Sequence, residues 1–117
     1  MTTSPQQLGQ AAEDLAAQHL QKQGFTISAR NYRYERAEID IIAQKEKLLV
    51  FTEVKARSSD QFGHPETFVT TQQQALIRAA AEEYIIAQHW EYAIRFDIIA
   101  VFKHKGQVQL MHFEDAF

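Results

Sequence analysis

The sequence predicts an α/β fold of order αβββαββ, with a mixed five-stranded sheet flanked by helices. Three observations predict it. Two stretches repeat apolar residues at helical spacing, Pro5 to Gln23 and a second one running to about Gln88. Three β-rich stretches lie between the two helices and two more follow the second. The Gln44–Lys47 connection is short and polar, the mark of a hairpin, whereas the second helix can cross over to a parallel neighbour.

The first helix has Ser4 as its expected N-cap and Pro5 at its first position, and Gly24 ends it. Leu8, Ala11, Ala12, Leu15, Ala16, His19 and Leu20 form its apolar stripe. Glu13 falls at the margin of that stripe, and Asp14 falls outside it and should meet water. The strands that follow are expected at Phe25–Tyr34, Glu38–Ala43 and Leu48–Ala56. In the second of these, Ile39 and Ile41 are expected on one face and Glu38, Asp40 and Ile42 on the other. Ser58 to Glu66, with Gly63 and Pro65, reads as a loop. Thr70 or Thr71 caps the second helix, whose apolar positions are Leu76, Ile77, Ala80, Ala81, Tyr84 and Ile85. Tyr92–Phe102 and Val108–Phe113 complete the sheet.

With 117 residues, 45% apolar and 23% charged, the expected organisation is one globular domain spanning 1–117. The absence of cysteine excludes disulfides, thiolate metal sites and thiol nucleophiles. Met1 to Gln10 has neither a basic end nor an apolar run, and no stretch approaches the length of a membrane span. A cytoplasmic protein without a membrane partner is expected. The net charge of −3 argues against a surface that grips nucleic acid all over. The charge is uneven, however. Residues 1–57 carry eight Lys/Arg against seven Asp/Glu, and residues 58–117 carry four against eight. Any anion-facing surface is therefore expected in the N-terminal half.

The chemistry-bearing stretch is Phe51-Thr52-Glu53-Val54-Lys55. Strand alternation places Leu49, Phe51, Glu53 and Lys55 on one face. Burying either charge alone costs several kcal/mol by order of magnitude, so an apolar strand ending in ionisable groups needs a reason. A hairpin with the preceding strand brings Asp40 towards Glu53 and Lys55. Two carboxylates are hard ligands for Mg²⁺ or Mn²⁺, and a lysine beside them can orient or deprotonate a water. The same three residues equally suit a cross-strand ion-pair cluster on a solvated face.

Asp40 followed at hairpin distance by Glu53-Val54-Lys55 resembles the metal-dependent PD-(D/E)xK nuclease superfamily. Over nearly its whole length the chain is similar to the YraN family of small bacterial proteins. The blocks that carry the likeness are Gly9–Leu20 with Glu13, Asn31-Tyr32-Arg33, Glu38-Ile39-Asp40, Phe51–Arg57, Phe62-Gly63, Val69-Thr70, Arg95-Phe96-Asp97 and Ala116-Phe117. The resemblance implies a restriction-endonuclease-like core similar to the archaeal Holliday-junction resolvases. It implies a site of Glu13, Asp40, Glu53 and Lys55, with Asp40 and Glu53 holding Mg²⁺ or Mn²⁺ and Glu13 joining from the first helix. It also implies branched or structured DNA as substrate and a homodimer as assembly. The chain departs from the family pattern at Ala37, where glycine is usual, and at Gln73, where a lysine is usual.

Arg33, Arg36 and Arg57, with Arg30, are candidates for a path along a nucleic-acid backbone, or are ordinary solubilising charge. Tyr32 and Tyr34 are expected in the core rather than stacked on bases. Asp97 is expected as a buried partner for an arginine, and His19 as a core histidine. His64 is the histidine expected nearest the site, and His104 and His112 show no ligand spacing. Two functions follow: a Mg²⁺-dependent endonuclease acting on structured DNA, or a non-catalytic nucleic-acid- or protein-binding module that keeps the nuclease fold.

Overall fold

The structure is a computed structural model that describes residues 5–57 and 69–117, with side chains from Gln7 onward. Its elements are α1 (Pro5–Lys22), β1 (Thr26–Tyr34), β2 (Ala37–Lys45), β3 (Leu48–Ala56), α2 (Thr71–Ala87), β4 (Ala93–His104) and β5 (Gln107–Phe113). The expected αβββαββ order and mixed α/β class are both found. Ser4, the Ser58–Glu66 loop, Phe62, Gly63 and His64 lie outside the described residues.

The five strands lie in sequence order across one sheet. β1, β2 and β3 form an antiparallel meander, α2 carries the chain to β4 parallel to β3, and β5 returns antiparallel to β4. The β2–β3 connection is tighter than the sequence suggests. The ladder runs on to Lys45↔Leu48, leaving only Glu46 and Lys47 to turn. At the β4–β5 turn, Lys105 and Gly106 both take positive φ, as a two-residue type I′ hairpin requires.

Two cores sandwich the sheet. On one side Ala12, Ala16, Ala17 and Leu20 of α1 pack on Ile41, Ala43, Val50, Ile99 and Val101. On the other Ile77, Ala80 and Ala81 of α2 pack on Ile39, Ile42, Leu49, Phe51, Phe96 and Ile98. The α1 stripe is rotated from the expected one: Ala17 is buried, whereas Ala11 and Leu15 are exposed. Tyr32 and Tyr34 pack against the α2-side core as expected, Tyr32 meeting Tyr84 edge to face.

The C-terminus of α1 and the N-terminus of α2 are satisfied locally. Gly24, at φ +96, ends α1, with Phe25 N–H donating to the Leu20 carbonyl. Thr70 caps α2 in a reciprocal box: Gln73 N–H donates to Thr70 Oγ1, and Thr70 N–H donates to Gln73 Oε1. None of the described helices is long and apolar enough to cross a membrane.

The C-terminal residues close the α2-side core. Ala116 N–H donates to the Phe96 carbonyl at 2.7 Å, and Phe117 lies 5.3 Å from the Phe96 ring. The Arg78 guanidinium sits 4.8 Å from the Phe96 centroid and 5.8 Å from that of Phe117. Phe117→Ala removes a half-buried ring and one face of this cation–π stack. It is expected to cost about 2 kcal/mol, read as a fall in the urea midpoint at constant m-value.

Candidate functional site

The site forms where the sheet splays. β2 and β3 pair from Lys45↔Leu48 to Ile41↔Thr52, and the register ends there. The next residues along the two strands, Asp40 and Glu53, flank the opening. On the β1 side, pairing passes from Arg30↔Ile41 to Tyr32↔Ile39 and skips Asn31 and Asp40. Asn31 takes φ 53, a left-handed conformation that asparagine tolerates better than most side chains. Asp40 is thus free of the ladder on both sides.

This irregularity corrects the expected facing of β2. Ile39 packs with Ile42 in the α2-side core, while Ile41 packs with Ala43 in the α1-side core. Ile39 and Ile41 therefore lie on opposite sides of the sheet. The alternation changes phase at Asp40, the position unpaired on both sides. In β3 the alternation holds, and Leu49 and Phe51 share the face of Glu53 and Lys55 as expected.

Asp40 reaches across the fork, where its Oδ2 accepts the Val54 N–H at 2.8 Å. A side-chain carboxylate thereby replaces the lost backbone acceptor and ties β2 to β3 beyond the end of their ladder. The Asp40 and Glu53 carboxyl groups are neighbours, close enough for each to shift the other's ionisation. Lys55 Nζ lies 3.6 Å from Glu53 Oε1, and both side chains are less than a fifth exposed. The expected convergence of Asp40, Glu53 and Lys55 is therefore found. Asp40 and Glu53 open into a cleft of about 240 Å³ walled by Glu38, Arg36, Gln73, Leu76 and Ile77, with Lys55 behind Glu53.

The electrostatics follow from burial. Desolvation pushes the Glu53 carboxyl up to about 8, helped by the adjacent Asp40 and only partly offset by Lys55. Asp40 is also raised, by burial first and by the charge of Glu38, against the lowering effect of its bonds to Val54 and Glu53. Two neighbouring buried carboxyl groups cannot both ionise cheaply, so the pair retains a proton at neutral pH.

Glu13 stands at one remove from this pair. Asn31 Nδ2 donates to Glu13 Oε1 and Oε2 at 3.0 and 3.1 Å, and to Glu38 Oε1 at 3.1 Å. α1 is thus linked through Asn31 to Glu38, and Glu38 lines the cleft. Asn31 and Glu38 are the residues to which the sequence reading assigned no role at the site. The sequence signals for Asn31 are its place in the Asn31-Tyr32-Arg33 block and the preference of asparagine for positive φ.

The arginines are placed as follows. Arg30 Nη2 pairs with Asp14 at 2.8 Å and with Glu13 at 3.4 Å. Arg33 pairs with Glu38 at 3.4 Å. Arg36 lines the cleft, and Arg57 donates from Nη1 to the Ala56 carbonyl. Asp14 is exposed, as expected.

Among the described residues, no three His, Asp or Glu side chains stand together at metal-ligand spacing. The donor chemistry of the acid pair nonetheless fits a hard divalent ion. Mg²⁺ is commonly held by one or two protein carboxylates with water in its other positions. Burial disfavours the negative charge of Asp40 and Glu53, and a bound cation would offset it.

Fold and site together define an α/β protein whose splayed sheet presents a buried acid pair and a lysine. The chain belongs to the uncharacterised protein family UPF0102, the YraN family, whose profile matches residues 12–101. It is 49% identical to a UPF0102 protein of Flavobacterium psychrophilum over 110 residues, covering 94% of this chain and 92% of that one. It is 41% identical to a UPF0102 protein of Chlorobium phaeobacteroides over 124 residues, covering 100% and 98%. It is also 41% identical to one from Clostridium perfringens over 113 residues, covering 94% and 93%.

Proposed function

We propose that this protein is a Mg²⁺- or Mn²⁺-dependent endonuclease of restriction-endonuclease-like architecture, acting on structured or branched DNA in the cytoplasm. The observation that carries the reading is the buried Asp40–Glu53 pair with Lys55 beside it at the mouth of an open cleft. Asp40 and Glu53 are the ligands in this reading, and the ion's contribution when bound is Lewis-acid polarisation of the phosphodiester. Lys55 orients the attacking water and offsets the charge that develops on phosphorus. Glu13 acts through Asn31 and Glu38, which order water at the cleft. Arg33, Arg36 and Arg57 meet the backbone phosphates, and a homodimer is the assembly that suits a branched substrate.

The test is a panel of branched, flapped and linear DNAs incubated with Mg²⁺ or Mn²⁺. Cleavage is expected to fall at least ~100-fold in Asp40→Asn, Glu53→Gln and Lys55→Ala. Cleavage that survives Asp40→Asn and Glu53→Gln unchanged excludes the assignment.

One set of observations favours a second reading, a metal-independent nucleic-acid- or protein-binding module. Arg30 and Arg33 are already paired with acids, Gln73 spends its side-chain oxygen on the α2 cap, and the net charge is −3. DNA affinity that ignores Mn²⁺, together with no calorimetric heat from millimolar Mn²⁺, selects this module.

A further inference from the structure

A second polar cluster lies on the far side of the sheet from the acid pair. Asp97 is fully buried on β4, and Arg95 grips both its oxygens at 2.8 and 2.9 Å. The Asp115 N–H adds a third bond at 3.1 Å. The expected arginine partner for Asp97 is therefore found. Beyond that expectation, His112 Nε2 lies 2.7 Å from Asp97 Oδ2, and His112 Nδ1 lies 3.0 Å from His19 Nε2 on α1. His19 is half-buried and carries a polar partner, where a plain core histidine is expected, and His112 is that partner. Sequence spacing hides this pair, because the two residues are 93 positions apart.

We propose that His19 and His112 form a second metal site, for a borderline transition ion of the Zn²⁺, Co²⁺ or Ni²⁺ class. Asp97 accepts a proton-bearing nitrogen, which fixes the His112 tautomer with Nε2–H inward and the Nδ1 lone pair outward. A carboxylate behind the histidine in this way is the arrangement that orients imidazole ligands and raises their basicity. Two nitrogens bound to one tetrahedral zinc at 2.0–2.1 Å lie about 3.3 Å apart. The observed 3.0 Å contact is a hydrogen bond, so an ion enters when the His19 proton moves from Nε2 to Nδ1 and both rings turn their free lone pairs to one point, the two nitrogens parting by a few tenths of an ångström.

The coordination sphere opens on the His19 side, and His112 lies behind the cleft lining. A cleft of about 220 Å³ borders His19, lined by Leu15, Gln18, Lys22, Val108 and Leu110. Water or an exogenous ligand completes the sphere there, and Lys22 at the rim favours an anionic one. Nitrogen donors separate this site from the all-oxygen acid pair, which suits hard ions.

The test is a Co²⁺ titration of the full chain in excess Mg²⁺, followed by visible ligand-field bands and by paramagnetic shifts of the imidazole ring protons. One equivalent is expected to bind, shifting the rings of His19 and His112 in the unaltered protein. His19→Ala and His112→Ala, with folding checked by circular dichroism, are expected to weaken binding at least tenfold, while Glu53→Gln leaves it unchanged. The proposal is overturned if no Co²⁺ binds, if the shifted rings belong to His64, His89 or His104, or if Glu53→Gln abolishes the bands.

Discussion

Glu53→Gln is expected to make the protein more stable above neutral pH, although it removes a residue assigned to the site. The Glu53 carboxyl is pushed from its ordinary 4.5 up to about 8 in the folded state, chiefly through burial. Between those pH values the folded chain holds a proton that the unfolded chain has released. Stability from this group is therefore fully present below about 4.5 and is lost as pH rises through about 8. Asp40 is raised as well, and its contribution has the same sign. Glutamine keeps the size of the side chain and has no proton to lose. The variant should show a flatter stability profile between pH 5 and pH 8, with a gain on the order of 2 kcal/mol at pH 8 and none at pH 5. For a domain of this size that is a rise in melting temperature of about 5–10 °C at the higher pH. Urea unfolding at the two pH values checks it, and a pH slope equal to that of the unaltered protein excludes the shared proton.

The order of the elements was legible because apolar periodicity and turn residues are local signals. α1, β3 and α2 were read to within a residue or two on that basis. Convergence of Asp40, Glu53 and Lys55 was also legible, because a short turn fixes which residues of two strands come close. The phase change in β2 was not. It depends on Asn31 adopting positive φ and on Asp40 losing both backbone neighbours, and neither event leaves a trace in the alternation of Glu38 to Ile42. The α1 stripe was misplaced by part of a turn, since alanines at 11, 12, 16 and 17 give a weak hydrophobic direction. The His19–His112–Asp97 cluster was invisible for a different reason. It needs the β4–β5 register, which puts His112 opposite Ile99, and the docking of α1 across the same face.

Divalent-ion binding at the acid pair is expected to be a proton exchange, with an affinity set by pH. A cation and the retained proton compete for the same carboxylate oxygens, so binding must release what the pair holds. Below the raised Glu53 value, each unit of pH should strengthen Mn²⁺ binding by about tenfold, and above about 8 the affinity should level off. Between pH 6 and pH 8 that amounts to roughly a hundredfold. The charge of Lys55, 3.6 Å from Glu53, lowers the intrinsic affinity but does not change this slope. Calorimetry in buffers of different ionisation enthalpy reads the exchange directly, with about one proton released per ion at pH 7. Glu53→Gln should abolish the proton release and weaken binding at least tenfold, while Asn31→Gly, which removes the side-chain bonds to Glu13 and Glu38 but keeps the positive φ, should leave the release intact. An affinity for Mn²⁺ that stays flat from pH 6 to pH 8 means that the ion binds elsewhere. The carboxyl pair is then a hydrogen-bonded strut that holds β2 to β3, in keeping with the Asp40 bond to Val54.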